Sequence, residues 1–254
     1  MRIDVLTTFP EMFGTETPAA LGVSIPGRAI ASGALEVVAT DIRAFADNKH
    51  RKTDDRPFGG GPGMVMMCQP VWDASVHAES LDPRPARRVY LTPQGRRLDQ
   101  VLVQELAREE RLSVLCGHYE GIDERVIERL DPLEVSVGDY VLSSGEVGAL
   151  VLIDAVARLL PGVLGDDASA VQDSFGPAHA ADPNGDAVDA RTLKDLGISP
   201  DQPLLDCPHY TRPREWDGRE VPEILLSGDH KAVVRWRLER MFERTRVRRA
   251  DLLP

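Results

Sequence analysis

The chain has 254 residues, of which 42% are hydrophobic and 28% are charged, and its formal net charge is −11. This length can bury a full core in one large domain or two ordinary ones, and the composition is typical of soluble globular proteins. No apolar run approaches the roughly 20 residues of a membrane-spanning helix, and the opening MRIDVLTTFP lacks the basic region and cleavage site of a signal peptide.

Strand and helix patterns alternate over about the first 160 residues. Apolar, β-branched runs predict strands at 2–6, 35–40, 88–91, 112–116 and 133–137. Helical patterns fall at 10–13, 26–32, 69–80, 99–108, 123–130 and 146–160. Such alternation, with apolar strands, predicts an α/β domain whose mostly parallel sheet is covered by helices on both faces.

Three loops of this domain would follow the carboxyl ends of predicted strands. They are 92–95 (TPQG), 117–121 (GHYEG) and the glycine-punctuated segment 138–145. Ligands of parallel α/β sheets bind beyond these ends, so we expect the three loops to converge on one site. Glycine in the segment 138–145 permits the close backbone approach that a small ligand requires.

Residues 45–64 form a long stretch that is first polar and then glycine-rich, and it fits no helix or strand. Loops of this length inside a domain are usually functional or disordered. The GGGPG run has no following Lys-Ser/Thr and opens no helix, which excludes a nucleoside-triphosphate loop. His50, Arg51 and Lys52 either contact a phosphate or stay solvated, and the pattern leaves both interpretations open.

The last third of the chain divides into a linker and a small module. Residues 163–203 are rich in Asp, Ala, Gly and Pro, which predicts a flexible acidic linker with an insert. Residues 204–254 predict extended segments at 206–213 and 221–226 and a helix at 229–244. The predicted domains are therefore 1–162, 163–203 and 204–254.

Charge is unevenly distributed along the chain. The net negative charge argues against a nucleic-acid partner, but the sequence after His230, KAVVRWRLERMFERTRVRR, is strongly basic. A local basic surface can bind a polyanion within an acidic protein, because salt screens distant charges. The alternative interpretation is a solvated helix face.

No arrangement of residues typical of a catalytic or metal site stands out. Cys68, Cys116 and Cys207 are far apart and lack metal-ligand spacing, so we expect reduced thiols in a cytoplasmic protein. There is no Ser-His-Asp or Cys-His arrangement, and no G-x-G-x-x-G follows a strand. The patterns alone indicate an α/β domain with a glycine-lined site, joined to a basic helical module.

Seven segments, in chain order, carry a resemblance to a known family. They are GGGPGM, CGHYEGIDERV, VGDYVLSSGE, LIDAVARLLPGVLG, DSF, LLDCPHYTRP and LLSGDHKAVVRWR. Together they strongly resemble the bacterial tRNA (guanine-N1)-methyltransferases that modify position 37, over the whole chain apart from the stretch between Phe175 and Leu204. The resemblance implies a SPOUT-class α/β fold with a deep trefoil knot, a small, mainly helical C-terminal domain that binds tRNA, and a homodimer.

The resemblance also implies a set of ligands. They are S-adenosylmethionine as methyl donor, Mg²⁺ as a second cofactor, and tRNA with guanosine at positions 36 and 37 as substrate. The positions that match the family's cofactor site are Tyr90, Leu91, Gly117, Tyr119, Gly121, Val137, Gly138, Asp139, Tyr140, Val141, Leu142, Ser144 and Gly145. The expected substrate-binding positions are His50, Arg51, Gly59, Gly60 and Ser169.

Methylation at N1 of guanine requires particular catalytic groups. N1 carries a proton at neutral pH, so the reaction requires a base and a cation that stabilises charge on O6. By resemblance, Asp173 is the base and Arg158 is the cation. The residues alone favour plainer interpretations, in which Arg158 caps its helix C-terminus and Asp173 is a linker acid. Glu120 matches a position near the cofactor and is a candidate Mg²⁺ ligand.

Three features depart from the family pattern. His118 stands where the family usually has the arginine of G-R-Y-E-G, which puts a phosphate or acidic contact there in doubt. Ser144 replaces the first glycine of Gly-Gly-Glu and adds a Cβ beside the cofactor pocket. Residues 176–203 form a longer connection than is common in the family, and we expect this acidic segment to loop away from bound RNA.

Two other functions are weighed against the methyltransferase. One is a tRNA-binding protein without catalysis, and the other is a knotted methyltransferase with another RNA target. The presence of Arg158, Asp173 and Glu120 together favours catalysis, because a pure binder has no need of that set. The LLDCPHYTRP and DSF segments favour guanine N1 as the target.

Overall fold

A computed structural model describes residues 1–16, 19–165, 172–180, 182 and 188–254. The chain divides into two units, Met1–Gly165 and Asp166–Pro254, and each has its own apolar core. Within the described ranges, no helix is long and apolar enough to cross a membrane.

The first unit is built on a five-stranded sheet. Its strands, with one short hairpin, are β1 (Arg2–Thr7), β2 (Glu36–Asp41), β3 (Asp54–Asp55), β4 (Val65–Met66), β5 (Arg87–Arg97), β6 (Arg111–Cys116) and β7 (Leu133–Ser136). The sheet order is β2-β1-β6-β5-β7, and every neighbouring pair in it is parallel. β3 and β4 form a separate antiparallel pair that closes the glycine-rich stretch, where the sequence predicts only loop.

Helices cover both faces of the sheet, which confirms the predicted α/β architecture. The α-helices of this unit are α1 (Ser24–Ala31), α2 (Cys68–Ser80), α3 (Gln100–Ala107), α4 (Glu124–Leu130) and α5 (Gly145–Ala157), with 3-10 helices at Pro10–Phe13, Ala20–Gly22 and Ile42–Phe45. Alternate strand residues point to opposite faces. Ile3 and Val5 therefore pack with the core of α1, α3 and α5, whereas Leu6 packs with the core of α2 and α4. The trefoil knot stays a prediction.

Strand β5 is longer than predicted. The sequence predicts a strand at 88–91 and a loop at 92–95, but β5 runs on to Arg97 with a bulge. Both Leu91 and Arg96 pair with Val135 of β7, so the register shifts between them. A Cβ at Gly95 would overlap the β7 backbone, so glycine at this position allows the strand to resume pairing.

The second unit is organised by one long helix. Its elements are β8 (Gly176–Pro177), α6 (Ala190–Leu196), β9 (Pro203–Leu204), β10 (Glu215–Trp216), β11 (Arg219–Glu220) and α7 (His230–Arg248), with 3-10 helices at Ala178–Ala180, Glu223–Leu226 and Ala250–Leu252. β8 pairs with β9 and β10 pairs with β11, both antiparallel. Asp229 caps α7, because its carboxylate accepts from the Ala232 N–H at 3.1 Å. Leu238 and Met241 of α7 are buried in the core of this unit.

Two features of the second unit differ from the sequence predictions. The predicted linker 163–203 is shared between the two units. Residues 163–165 belong to the first unit, whereas Leu193 and Ile198 are buried with Leu204 in the core of the second. Residues 221–226 are not extended throughout. Pro222, with φ of −51°, precedes the 3-10 helix, and the fixed φ of proline suits the start of such a turn.

A buried charge cluster joins β1 and β6 to the end of α2. The Asp4 carboxylate accepts from Arg2 at 2.7 Å and from Arg111 Nε at 2.7 Å, and all three side chains are buried. Arg111 also donates to the carbonyl oxygens of Ala78 and Asp82, at 2.5 Å each. These carbonyl groups lie at or beyond the helix C-terminus, where no further turn supplies a donor. The two arginines therefore supply hydrogen bonds that water would otherwise donate to one buried carboxylate and to several backbone oxygens.

Replacing Arg111 by methionine should lower the free energy of unfolding by about 3–5 kcal/mol, because it leaves the Asp4 charge buried with one partner fewer. Urea unfolding at neutral pH measures the change. Arg96→Met is the matched control, since Arg96 forms a half-exposed pair with Glu105 at 3.1 Å and its loss should cost less than about 1 kcal/mol. A loss at Arg111 no larger than that at Arg96 would contradict the structural role of the cluster.

Candidate functional site

Two of the three expected loops meet at the carboxyl edge of the sheet. The Gly145 N–H donates to the Gly117 carbonyl oxygen at 2.9 Å, and His118 pairs with Ser144 in an antiparallel bridge. A Cβ at Gly145 would lie 2.8 Å from the Cα of Cys116, so only glycine allows this approach. The loop after β6 and the loop after β7 thus form one surface.

The third expected loop is not a loop in the structure, because residues 92–95 lie within the bulged strand β5. Tyr90 and Leu91, earlier in the same strand, border the surface of the other two loops. A Cβ at Gly117 would lie 3.1 Å from the Tyr90 ring, and one at Gly148 would lie 3.4 Å from Leu91 Cδ1. Burial raises the pKa of Tyr90, so its hydroxyl stays protonated at neutral pH.

The segment after β7 presents exposed apolar side chains beside glycine backbone. Gly138 has φ of 154°, and the Tyr140 hydroxyl donates to the Val137 carbonyl oxygen at 3.2 Å. Val141 is 84% exposed, and Tyr140 is also exposed. The predicted cofactor positions in this segment are Val137, Gly138, Asp139, Tyr140, Val141 and Leu142. Such a surface suits a flat, uncharged ligand group, because apolar side chains contact its faces and backbone groups can bind its edge.

The loop between β6 and α4 links this surface to the glycine-rich stretch. Tyr119 has φ of 59° and is exposed, and Gly121 has φ of 132°. The Glu120 N–H donates to the Met64 carbonyl oxygen at 3.0 Å. A Cβ at Gly63 would overlap the Glu120 carboxylate, so this glycine makes room for it. Glu120 is therefore held against the glycine-rich stretch.

One buried carboxylate holds three of these elements together. Glu146, in the first turn of α5, is fully buried and accepts from the Thr7 hydroxyl at 2.5 Å and from His118 Nε2 at 2.8 Å. Its second oxygen, Oε2, is buried without a hydrogen-bond partner among the described residues. Burial acts to raise the pKa of Glu146, but the hydrogen bonds from His118 and Thr7 outweigh it and lower that pKa. The carboxylate thus joins β1, the loop after β6 and α5.

Sequence reasoning missed Glu146 and Thr7 as members of the site. The signal that could have found Glu146 is the one carboxylate in the first turn of a mostly apolar helix. Thr7 gives no such signal, because a threonine after a strand is common. His118, noted only as a departure from the family's arginine, still places a donor on the Glu146 carboxylate.

The three predicted catalytic residues do not all belong to one unit, since Arg158 and Glu120 lie in the first and Asp173 in the second. Arg158 follows α5, and its N–H donates to the Asp154 carbonyl oxygen at 3.2 Å, so it does lie at a helix C-terminus. Asp173 lies in the second unit and accepts at its carbonyl oxygen from the Gly176 N–H at 3.0 Å. It lines a cavity of about 210 Å³ together with Asp206, Cys207, His209 and Arg237, among others. Asp173 is therefore one of the residues that line this cavity, and its role as the base stays a prediction.

The expected substrate positions that the structure describes are all exposed. His50 and Arg51 are exposed in the stretch before β3. Gly59 and Gly60 have positive φ, and no described atom lies within 4 Å of the place where a Cβ would stand. Ser169 falls outside the described residues.

One group of three potential metal ligands occurs in the part of the chain that the structure describes. Asp206, Cys207 and His209 offer ligand atoms that lie within 4.8 Å of one another. Mg²⁺ prefers oxygen ligands, so a thiol and an imidazole do not fit the expected ion. Glu120 is not in this group, and an ion bound there would need further oxygen ligands from water or substrate.

Comparison with known proteins identifies the family of this chain. A family model described as tRNA (Guanine-1)-methyltransferase TrmD matches residues 1–254. The chain belongs to this family. A tRNA (guanine-N(1)-)-methyltransferase of Vibrio vulnificus is 46% identical over 253 residues, covering 100% of this chain and 90% of the relative. Those of Shewanella loihica and Rhodopirellula baltica are 48% and 46% identical, covering 99% and 100% of this chain and 90% and 94% of each relative.

Membership in the tRNA (guanine-1)-methyltransferase family applies to both units, because the match runs from the first residue to the last. It therefore includes the loop surface of the first unit and the Asp173 cavity of the second. It also confirms the resemblance that the seven sequence segments indicated.

Replacing Glu146 by glutamine should lower the free energy of unfolding by about 1.5–3 kcal/mol at neutral pH, because the hydrogen bonds to a charged group are lost. The lowered pKa of Glu146 means that its contribution is present above the ordinary glutamate pKa of 4.5 and is lost as pH falls through the folded-state pKa. The difference between the two proteins should therefore shrink at acid pH, as followed by urea unfolding at several pH values.

Glu120→Gln is the control for this measurement. Glu120 is exposed on the loop that carries His118, so its replacement should change the free energy of unfolding by no more than about 0.5 kcal/mol. A difference between wild type and Glu146→Gln that is the same at pH 7 and at pH 4 would show that the charge of Glu146 does not stabilise the fold.

Proposed function

We propose that this chain is a tRNA (guanine(37)-N1)-methyltransferase, which transfers a methyl group from S-adenosylmethionine to N1 of guanosine 37 in tRNAs with guanosine at positions 36 and 37. The observation that carries the proposal is the family match over residues 1–254. The names of the relatives supply guanine N1 as the target. Position 37 rests on the resemblance of the seven sequence segments.

The loop surface of the first unit fits S-adenosylmethionine by its chemistry. Glycines at 117 and 145 bring backbone of two loops together, and Tyr140 and Val141 offer exposed apolar groups for an adenine ring. Glu146 fixes the loops to β1 through Thr7 and His118. When bound, S-adenosylmethionine supplies an electrophilic methyl group on its sulfonium.

Two residues of the chain act on the proton of guanine N1 and on the negative charge at O6. The Asp173 carboxylate takes the proton from N1, so N1 loses a proton as it gains the methyl group. The Arg158 guanidinium stabilises the negative charge that grows on O6. A positioned base contributes about 10²- to 10⁴-fold to such a reaction, and a preorganised cation about 10²- to 10³-fold.

Further parts of the proposal rest on the family resemblance. The enzyme works in the cytoplasm as a homodimer with a trefoil knot, and Asp173 of one subunit serves the cofactor held by the other. Mg²⁺ assists, with Glu120 as the protein ligand in this chain. The second unit binds tRNA through its basic helix α7. The positions proposed to contact the substrate are His50, Arg51, Gly59, Gly60 and Ser169.

Methyl transfer from labelled S-adenosylmethionine should occur on an unmodified tRNA transcript with guanosine at 36 and 37, and not on one with adenosine at 37. Asp173→Ala should lower the rate of transfer about 10²- to 10⁴-fold, because the base is lost. Asp201→Ala is the control, since Asp201 is an exposed acid of the same unit and should leave the rate within twofold.

Three other results of this experiment would each change the proposal. Cofactor and tRNA binding without transfer in Mg²⁺ would favour a non-catalytic tRNA-binding protein. Equal transfer to both transcripts would keep the methyltransferase but move its target away from position 37. Full activity of Asp173→Ala would remove Asp173 from the role of base.

A further inference from the structure

A second cavity in the C-terminal unit is unused by the proposed reaction. It has a volume of about 390 Å³ and lies between the segment 208–214, the 3-10 helix Glu223–Leu226 and helix α7. Residues 208–213 of this segment belong to the LLDCPHYTRP motif, which is part of the family resemblance but has no role in the steps above. His209 and Arg237 line both this cavity and the one lined by Asp173, so the two cavities adjoin.

The charged side chains that line the cavity are arginines, and His209 also lines it. Arg212, Arg214 and Arg237 line it, and no carboxylate does. Within the described residues, none of these three guanidinium groups forms an ion pair. Other arginines of α7 do, since Arg235 pairs with Glu239 at 3.2 Å and Arg246 with Glu243 at 3.3 Å.

Three unpaired guanidinium groups in one cavity favour an anionic ligand. A guanidinium offers several N–H donors in a planar fork, and a phosphate can accept two of them at once. The remaining wall is aromatic and apolar. Tyr210 is exposed and its ring contacts the Trp236 ring at 6.3 Å between centroids, with an interplanar angle of 56°.

The Tyr210 ring is exposed, although it lies beside the Trp236 ring. Leu225, Leu226 and Val221 add apolar side chains to the lining of the cavity. An aromatic ring with an apolar wall suits a nucleobase, since every base has a face that stacks on an aromatic side chain. The combination of phosphate donors and a stacking ring is that of a nucleotide site.

We propose that this cavity binds one unpaired nucleotide of the tRNA that neighbours the guanosine served by Asp173, with its base on Tyr210 and its phosphate on the three arginines. The inference rests on the proposed function, because it takes the RNA substrate from it. The shared wall of His209 and Arg237 places the bound nucleotide beside the target rather than in a distant arm of the tRNA.

The test measures tRNA affinity of the full-length protein at several salt concentrations. Arg212→Ala should weaken binding about tenfold and lower the slope of log K against log salt by about 0.7–0.9, because one phosphate contact is lost. Tyr210→Ala should weaken binding about tenfold with an unchanged slope, because stacking releases no counterions. Cofactor affinity should stay within twofold in both variants.

Arg246→Ala is the matched control, since it removes the same charge from the same unit at a residue that does not line the cavity. A tRNA with an abasic nucleotide on either side of position 37 completes the test. At one of the two positions, the abasic site should weaken wild-type binding and leave Tyr210→Ala unaffected, because the same contact is already missing. Circular dichroism spectra and melting curves should match wild type, which excludes unfolding.

Unchanged tRNA affinity in both Tyr210→Ala and Arg212→Ala would overturn the proposal, whatever else binds there. Equal losses in Arg246→Ala and Arg212→Ala would also overturn it, since a diffuse basic surface would then suffice. Both results are independent of the methyl transfer activity of the wild-type protein, which is measured separately. If wild type binds this tRNA but transfers no methyl group, the proposed function fails while the cavity test still stands.

Discussion

The arrangement of the loop surface depends on one buried carboxylate. Glu146 lies buried in the first turn of a mostly apolar helix, and a charge in that place is costly unless hydrogen-bond donors reach it. Thr7 and His118 supply those donors from two other parts of the chain. Because the cost of an unpaired carboxylate is high, the loop after β6 must stay close to β1 and α5. The polar interaction thus fixes a geometry that apolar packing alone would leave adjustable.

Glycine sets the second constraint on the same surface. The backbone approach between the loops after β6 and β7 leaves no room for a Cβ at Gly145, and Glu120 fills the space that a side chain at Gly63 would need. Close backbone contact places N–H and C=O groups of two loops side by side. Ser144 adds a hydroxymethyl group directly beside this contact, yet its bridge to His118 forms. The departure from the family's glycine is therefore compatible with the backbone geometry here.

The sequence predicts the sheet well because period-two apolar runs and helical patterns are local signals. It fails where a distant partner decides the structure. The bulge of β5 depends on pairing with β7, and the burial of Leu193 depends on the core beside α7. For the site, the glycines and Glu120 come from motif resemblance, whereas Thr7 has no pattern that marks it. A hydrogen bond between residues 139 positions apart cannot be deduced from either residue's neighbours.

Net charge is a poor guide to the partner of this chain. The total of −11 sums acids spread over the whole sequence, whereas a ligand responds to charges within about 10 Å at moderate salt. Three of the six arginines of α7 are already partnered, because Arg235 and Arg246 pair with acids one turn away and Arg244 donates to a carbonyl oxygen. Arg212, Arg214 and Arg237 instead share one concave wall without a carboxylate. Local unpaired charge beside an aromatic ring, rather than overall basicity, is therefore what would select a nucleotide.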